Sequence, residues 1–265
     1  MTGDFVSPTF VSHGAPVLAL EPGQAGAMLS RLGQERPRPR AILAVSAHWE
    51  APAPAVSVAP WPRTIYDFYG FPRELYSLCY PAPGAPDLGA EVAALLAHGG
   101  LACEISTDRG LDHGAWIPLR FMHPRADVPV TQLAVSPARG AAWHLELGRA
   151  LAPLAHAGVL VLGSGGLTHN LREFRTHAPA DEAPVWVREF ADWVAAAISA
   201  GDHDALVDYR RRAPHAARNH PTEEHFLPLL VALGAAGEGA TGVRVPAGVS
   251  YGVLAMDAFL MQTRA

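Results

Sequence analysis

The chain reads as an α/β fold built on buried parallel strands, and three observations predict it. Three short apolar runs, Phe10–Ser12, Ile42–Ala47 and Val159–Ser164, each lead into a histidine: His13, His48 and, a few residues on, His169. Flanked by Gly and Pro, they have the pattern of strands buried on both faces. Segments of helical spacing lie between them. No internal repeat or low-complexity linker divides the 265 residues, a length at which one α/β domain still closes a single core. The expected domain spans residues 1–265.

In chain order, the first run ends in the turn His13-Gly14-Ala15-Pro16, and a helix is expected over about 23–33. The connector Arg36-Pro37-Arg38-Pro39 then leads into the second run. Residues 51–86 are rich in proline and aromatics, with Trp61, Tyr66, Phe68, Tyr69, Phe71, Tyr76 and Tyr80 spread through them. So long an irregular stretch in a compact domain reads as a functional loop or lid, or as a surface excursion held down by its own aromatics. Residues 88–98 have helical spacing, 101–105 and 128–135 are strand candidates, and 143–157 reads as an amphipathic helix feeding the third histidine-bearing run. Residues 184–200 form a helix with Pro184 near its start and Gly201 just past its end. Thr222 is placed to cap a helix running through Phe226 and Leu230 to about Leu233, stopped by Gly234 and Gly237.

Composition removes several function classes. All twenty basic side chains are arginine, so enzymes that depend on a lysine Schiff base and NTPases that depend on a P-loop lysine are excluded. The net charge is −5, and the one basic run, Arg210-Arg211-Arg212, reads as a solvated helix face, so nucleic acid is not an expected partner. Cys79 and Cys103 are too few for a disulfide framework and form no Cys-x-x-Cys pair, so they read as reduced core thiols. Residues 1–5 lack the basic and apolar regions of a leader, and no stretch approaches the roughly twenty apolar residues of a bilayer span. A soluble cytoplasmic protein without a membrane partner, a monomer or small homo-oligomer, is expected.

Of thirteen histidines, His98, His123, His144, His156, His177, His203 and His215 show no partner pattern and read as solvated or capping residues. The candidates are His13, His48, His113, His169, His220 and His225. In open α/β sheets ligands sit beyond the carboxyl ends of the strands, so imidazoles following three such strands would converge on one crevice. Imidazole is the commonest protein ligand for metals, which makes the convergence a metal-site expectation. His13 and His48 are carried by rigid elements, as a ligand should be. His169 follows Gly163-Ser164-Gly165-Gly166, which lacks the Gly-x-Gly-x-x-Gly spacing of a dinucleotide site. His220 and His225, five residues apart, would point roughly 140° apart on a helix, so both cannot face one metal. His225, followed by apolar Phe226-Leu227, is the better ligand. His113, in Asp112-His113-Gly114-Ala115-Trp116, sits between a carboxylate and a small turn, a setting for a general acid or base and equally for a structural role.

Taken together, the motifs resemble the DOPA-dioxygenase-like members of the class III extradiol ring-cleavage dioxygenases, the superfamily that includes the protocatechuate 4,5-dioxygenase catalytic subunit. The matching stretches are His13-Gly14-Ala15-Pro16, Ser46-Ala47-His48-Trp49, Tyr66-Asp67-Phe68-Tyr69-Gly70-Phe71-Pro72, Tyr80-Pro81-Ala82-Pro83-Gly84, Asp112-His113-Gly114-Ala115-Trp116, His169-Asn170-Leu171 and the run from Pro221 through His225 to Leu229. They occur in order along nearly the whole chain. The resemblance implies a single α/β domain whose central sheet is mixed, largely parallel and flanked by helices. It implies a divalent metal held by His13, His48 and His225, with His169 as a fourth ligand or a base and His113 in the second sphere. The implied reaction is extradiol cleavage of a small catechol-type diol with O2, giving an open-chain semialdehyde. Fe(II) would support it, with Zn as another occupant of the site. His113 and His169 would move protons, and Trp49, Tyr66, Phe68 and Trp116 would pack the ring.

One departure stands out: the wider superfamily uses two histidines and a carboxylate, and this chain has His225 where the carboxylate is expected. Glu223 and Glu224 are the alternative carboxylates. Two other functions compete, a zinc-dependent hydrolase on the same fold and a non-enzymatic binding protein with a vestigial site. The intact histidine set argues against the second.

Overall fold

A computed structural model describes residues 5–174 and 182–264 of the chain. The first half contains β1 (Thr9–Ser12), α1 (Gly23–Gln34), β2 (Ala41–Glu50), β3 (Ala55–Ser57), α2 (Pro86–His98), β4 (Glu104–Ser106), α3 (His113–Met122) and β5 (Val130–Val135). There follow α4 (Gly140–Ala150), α5 (Pro153–His156), β6 (Val159–Gly165) and α6 (Leu171–Phe174). Beyond the undescribed stretch come α7 (Val185–Ala200), α8 (His203–Val207), α9 (Tyr209–Arg212), α10 (Ala216–Asn219) and α11 (Leu227–Ala235). The chain ends in β7 (Thr241–Val245), β8 (Val249–Ser250), β9 (Leu254–Ala255) and β10 (Ala258–Gln262).

Eight strands make one sheet in the order β4-β3-β5-β2-β6-β1-β10-β7, and β8 pairs with β9 in a separate hairpin. β2, β6 and β1 are adjacent and mutually parallel. β10 runs antiparallel to β1 and β7, and β3 to β5, so this single α/β domain is built on a mixed sheet flanked by helices. Residues 41–47 and all of β6 are buried. Their unbroken apolar runs follow from having helices on both faces. α11 is buried at every position and packs on α4 and β6. Glycine makes that approach possible: a Cβ on Gly148 would lie 2.3 Å from the Val231 carbonyl oxygen, and one on Gly234 only 2.1 Å from that of Leu145.

The structure departs from the expectations in several places. The helix expected over 143–157 is two helices, because Pro153 has no N–H for the Arg149 carbonyl and begins a new turn instead. The segment 51–85 is irregular except for β3, a short 3-10 turn at Arg73–Ser77 and single bridges from Thr64 to Leu111 and from Gly84 to Val130. The expected turn after Asp112 is the first turn of α3, capped by the Asp112 carboxylate. Thr222 caps no helix; its hydroxyl donates to Glu224 Oε1, and α11 begins only at Leu227. Cys79 is exposed and Cys103 half-buried, so neither is a core thiol, and both are free. Residues 210–212 do lie exposed on α9. No described helix is long and apolar enough to cross a membrane.

Candidate metal centre and active site

The carboxyl ends of β1, β2 and β6 lie side by side, and the chain gathers its imidazoles there. His13 is the first residue past β1, its N–H held by the Gly165 carbonyl at 2.9 Å. His48 lies in a bulge of β2: Val45 pairs with Leu133 and Glu50 with Val135, so five steps on one strand face two on its neighbour. Such a bulge re-aims side chains, here turning His48 toward His13. His225 reaches the same point from the turn before α11, not from inside a helix. Two glycines of β6 admit it: a Cβ on Gly163 would stand 2.2 Å from the Pro228 carbonyl oxygen, and one on Gly165 2.1 Å from that of His225. The Gly166 N–H then donates to the His225 carbonyl at 3.0 Å.

Nε2 of His48 has two others beside it, that of His13 at 3.1 Å and that of His225 at 3.3 Å. Imidazoles bound to a metal at ~2.0–2.1 Å have their nitrogens about 2.8–3.4 Å apart, so the spacing suits a shared ion. The outward nitrogens support this. Ser164 gives its hydroxyl proton to the Gly114 carbonyl, so its oxygen is free to accept from His13 Nδ1 at 3.1 Å. His225 Nδ1 meets Glu224 Oε1 at 2.9 Å, and His48 Nδ1 lies 3.4 Å from Asp67 Oδ2. Proton acceptors at Nδ1 leave the Nε2 lone pairs directed inward, as in most histidine metal sites. Burial, then the neighbouring imidazoles, holds His13 and His225 well below 6.5 and His48 at about 4. The rings are neutral at pH 7, as ligands must be. Glu224 braces His225 in this arrangement, and Glu223 accepts from the Tyr209 hydroxyl.

His169 and His113 stand on either side of this group. The His169 ring is stacked on that of His225, centroids 3.4 Å apart and planes within 8°. Burial, then His220, lowers its pKa to about 3. His113 opens α3, its ring 3.9 Å from that of His48. The α3 start is braced by Asp112, fully buried, whose carboxylate accepts from Ser46 Oγ at 2.6 Å, Arg109 and Gln132 at 2.8 Å each and the Ala115 N–H at 3.2 Å. Ser46 Oγ in turn accepts the His48 N–H at 3.2 Å, so one carboxylate fixes both β2 and α3. Gly114 keeps the two elements close, because a Cβ there would stand 2.4 Å from Ser46 Oγ.

The aromatic candidates are divided. Phe68 is buried edge-on to His113 at 5.7 Å. Tyr66 donates its hydroxyl to the Leu78 carbonyl and packs on Phe68 and Trp116. Trp116 is fully buried and its indole N–H is bonded to the Ile65 carbonyl. Trp49 lies beneath the Arg109 guanidinium, 5.0 Å from ring to Cζ, in a neighbouring cleft with Arg63 and Gly110. His220 is buried and bonds the Leu167 carbonyl. His144 and His203 are likewise buried with backbone partners, not solvated. His177 lies outside the described residues.

The sequence reading overlooked Asp67. Its Oδ1 accepts the His113 N–H at 3.0 Å, while Oδ2 lies 3.0 Å from His113 Nδ1. Burial alone would raise its pKa, but the adjacent His113, through its ring and its backbone N–H, and then His48 outweigh it and hold the carboxyl at about 2. The signal was available, since Asp67 falls inside a matching stretch and ligating histidines usually need a carboxylate at the far nitrogen.

Residues 10–261 match the family model described as the catalytic LigB subunit of aromatic ring-opening dioxygenase. The chain is 43% identical to the 4,5-DOPA dioxygenase extradiol of Beta vulgaris, with 86% of each protein covered. It is 38% identical to the protein of the same name from Escherichia coli K12, covering 93% of this chain and 91% of that one. The crystal structure of an uncharacterized protein from Escherichia coli K12 superposes with a TM-score of 0.78 at 32% identity, over 96% of this chain and 98% of that one. With both the match along its length and the histidine centre at its strand ends, the chain belongs to the LigB family of extradiol aromatic ring-opening dioxygenases.

Proposed function

We propose that the protein opens a small catechol-type diol with O2 beside its hydroxyls, releasing an open-chain semialdehyde, and that His13, His48 and His225 hold the Fe(II) involved. The observation that carries this reading is the meeting of three Nε2 atoms, each with its Nδ1 directed at an oxygen. Fe(II), when bound, supplies a common binding point for both reactants and a redox change that Zn lacks. His169, neutral and against the face of His225, takes the phenolic proton as the diol binds. His113 returns a proton as the ring opens, and Phe68 packs beside it. The names of the relatives make dihydroxyphenylalanine the first diol to test.

Oxygen uptake and the yellow semialdehyde product, followed over a panel of catechols after anaerobic Fe(II) loading, test the reaction. The zinc-loaded form is expected to consume no oxygen. Hydrolysis of an ester or amide by the zinc form, with no oxygen uptake by the iron form, would replace this reading with the hydrolase. Alanine at His13, His48 or His225 is expected to remove the metal, while alanine at His113 leaves metal content near normal and lowers turnover roughly 10²–10⁴-fold.

A further inference from the structure

We infer that Asp67 is a positioning residue that selects the proton-bearing nitrogen of two imidazoles at once, keeping His48 a ligand and His113 a proton carrier. The inference rests on the roles proposed for those two histidines. Asp67 Oδ2 is buried and meets no donor in line, and two ring nitrogens lie near it: His113 Nδ1 at 3.0 Å and His48 Nδ1 at 3.4 Å. Its other oxygen is occupied by the His113 backbone N–H at 3.0 Å. A carboxylate only accepts hydrogen bonds, so each Nδ1 is favoured as N–H and each Nε2 keeps its lone pair. In His48 that lone pair faces the other two ligand nitrogens. In His113 it makes Nε2 the nitrogen without a hydrogen.

Asparagine cannot do both jobs. Its oxygen can serve the two rings, and its NH2 then faces the His113 backbone N–H, donor against donor. Turned over, it keeps the backbone bond but offers N–H groups to both Nδ1 atoms. The rings would then favour protonation at Nε2, and a protonated Nε2 on His48 opposes metal binding. Asp67 sits within the irregular aromatic stretch, where Tyr66, Phe68 and Tyr76 pack on one another. That stretch carries this carboxylate on a segment held down by its own aromatics.

The test uses zinc, which is diamagnetic, with the full-length protein. Long-range 1H–15N spectra of histidine-labelled protein read the tautomer of each ring, with His113→Gln providing one assignment, and chelator competition gives the zinc affinity. Wild type is expected to carry its proton on Nδ1 in both rings. Asp67→Asn is expected to move at least one ring toward Nε2–H and to weaken zinc binding about 10–100-fold. Asp67→Glu, which keeps two accepting oxygens, is expected to hold both rings in the wild-type form. An Nε2–H tautomer in either wild-type ring would overturn the inference without any variant. So would Asp67→Asn with unchanged tautomers and an affinity within twofold of wild type. Neither readout involves a catechol, so the absence of ring cleavage with these results intact would refute the proposed reaction and leave the inference standing.

Discussion

Gly165→Ala isolates the fit between β6 and the segment that delivers His225. The new Cβ would lie 2.1 Å from the His225 carbonyl oxygen and 3.0 Å from its carbon, and real Cβ contacts stay beyond 3.0 Å. The carbonyl must therefore retreat by about 1 Å, carrying its own side chain with it. Ligand distances in metal sites hold to about ±0.2 Å, so His225 leaves coordination range. Overpacking of this kind costs about 1–3 kcal/mol, which a domain of this size survives. Gly33→Ala is the control: its Cβ would stand 1.9 Å from the Met122 carbonyl oxygen, an equally severe backbone clash at the opposite end of α3 from His113, about 13 Å away along the helix. Thermal unfolding and chelator competition on both variants separate strain from ligand loss. Both should melt earlier, but Gly165→Ala alone should lose metal affinity, by more than the roughly 10–100-fold that an outer partner contributes. Wild-type affinity in Gly165→Ala, or equal losses in the two, would refute the reasoning.

Asp112→Ala leaves three side-chain donors, Ser46, Gln132 and the charged Arg109, without their buried acceptor; urea unfolding should show a loss of about 3–5 kcal/mol. His144 is fully buried with Nε2 accepting the Ser136 N–H, and burial lowers its pKa to about 4. Because the folded value lies below the unfolded 6.5, its contribution is complete above pH 6.5 and is lost as pH falls toward 4, by roughly 3 kcal/mol in all. Stability curves of wild type and His144→Gln should accordingly draw together over that range, and parallel curves would exclude the effect. Tyr251, with φ at 51°, and Gly252, at 62°, form the left-handed turn of the β8–β9 hairpin. Asn tolerates this conformation and Ala does not, so Tyr251→Asn should be more stable than Tyr251→Ala by about 1 kcal/mol, both having lost the ring contact with Phe174.

What could be read in advance depended on how local its cause was. β2 and β6 showed as unbroken apolar runs because both faces are covered, and α7 showed through Pro184 and the left-handed Gly201 that ends it. The histidines at strand ends were legible for the same reason, since strand direction alone places them. β7 to β10 went unread because strands of two to five residues carry too little periodicity. α3 was hidden by its opening His113-Gly114 and by Pro118 within it, both weak helix signals, though tertiary packing and the Asp112 cap sustain it. The position of His225 depends on glycine gaps in a strand some sixty residues earlier, and no local pattern contains that. The surroundings of the aromatic residues were not legible either: Trp116 and Phe68 are both buried, and only packing puts the indole N–H of one on the Ile65 carbonyl and the ring of the other against His113.

The imidazoles of the centre come from positions 13, 48, 169 and 225, carried by β1, β2, the end of β6 and the turn before α11. They meet only when β2, β6 and β1 have paired across those separations, so the binding point belongs to the folded chain alone. An unfolded chain offers scattered single imidazoles of ordinary affinity. A metal ion held by these imidazoles would consequently favour the native state over the denatured one, and at a hundredfold excess over its dissociation constant it would add about 2.7 kcal/mol to unfolding. Melting temperature should rise with free metal concentration, which makes the ion a reporter of completed folding, readable without any substrate.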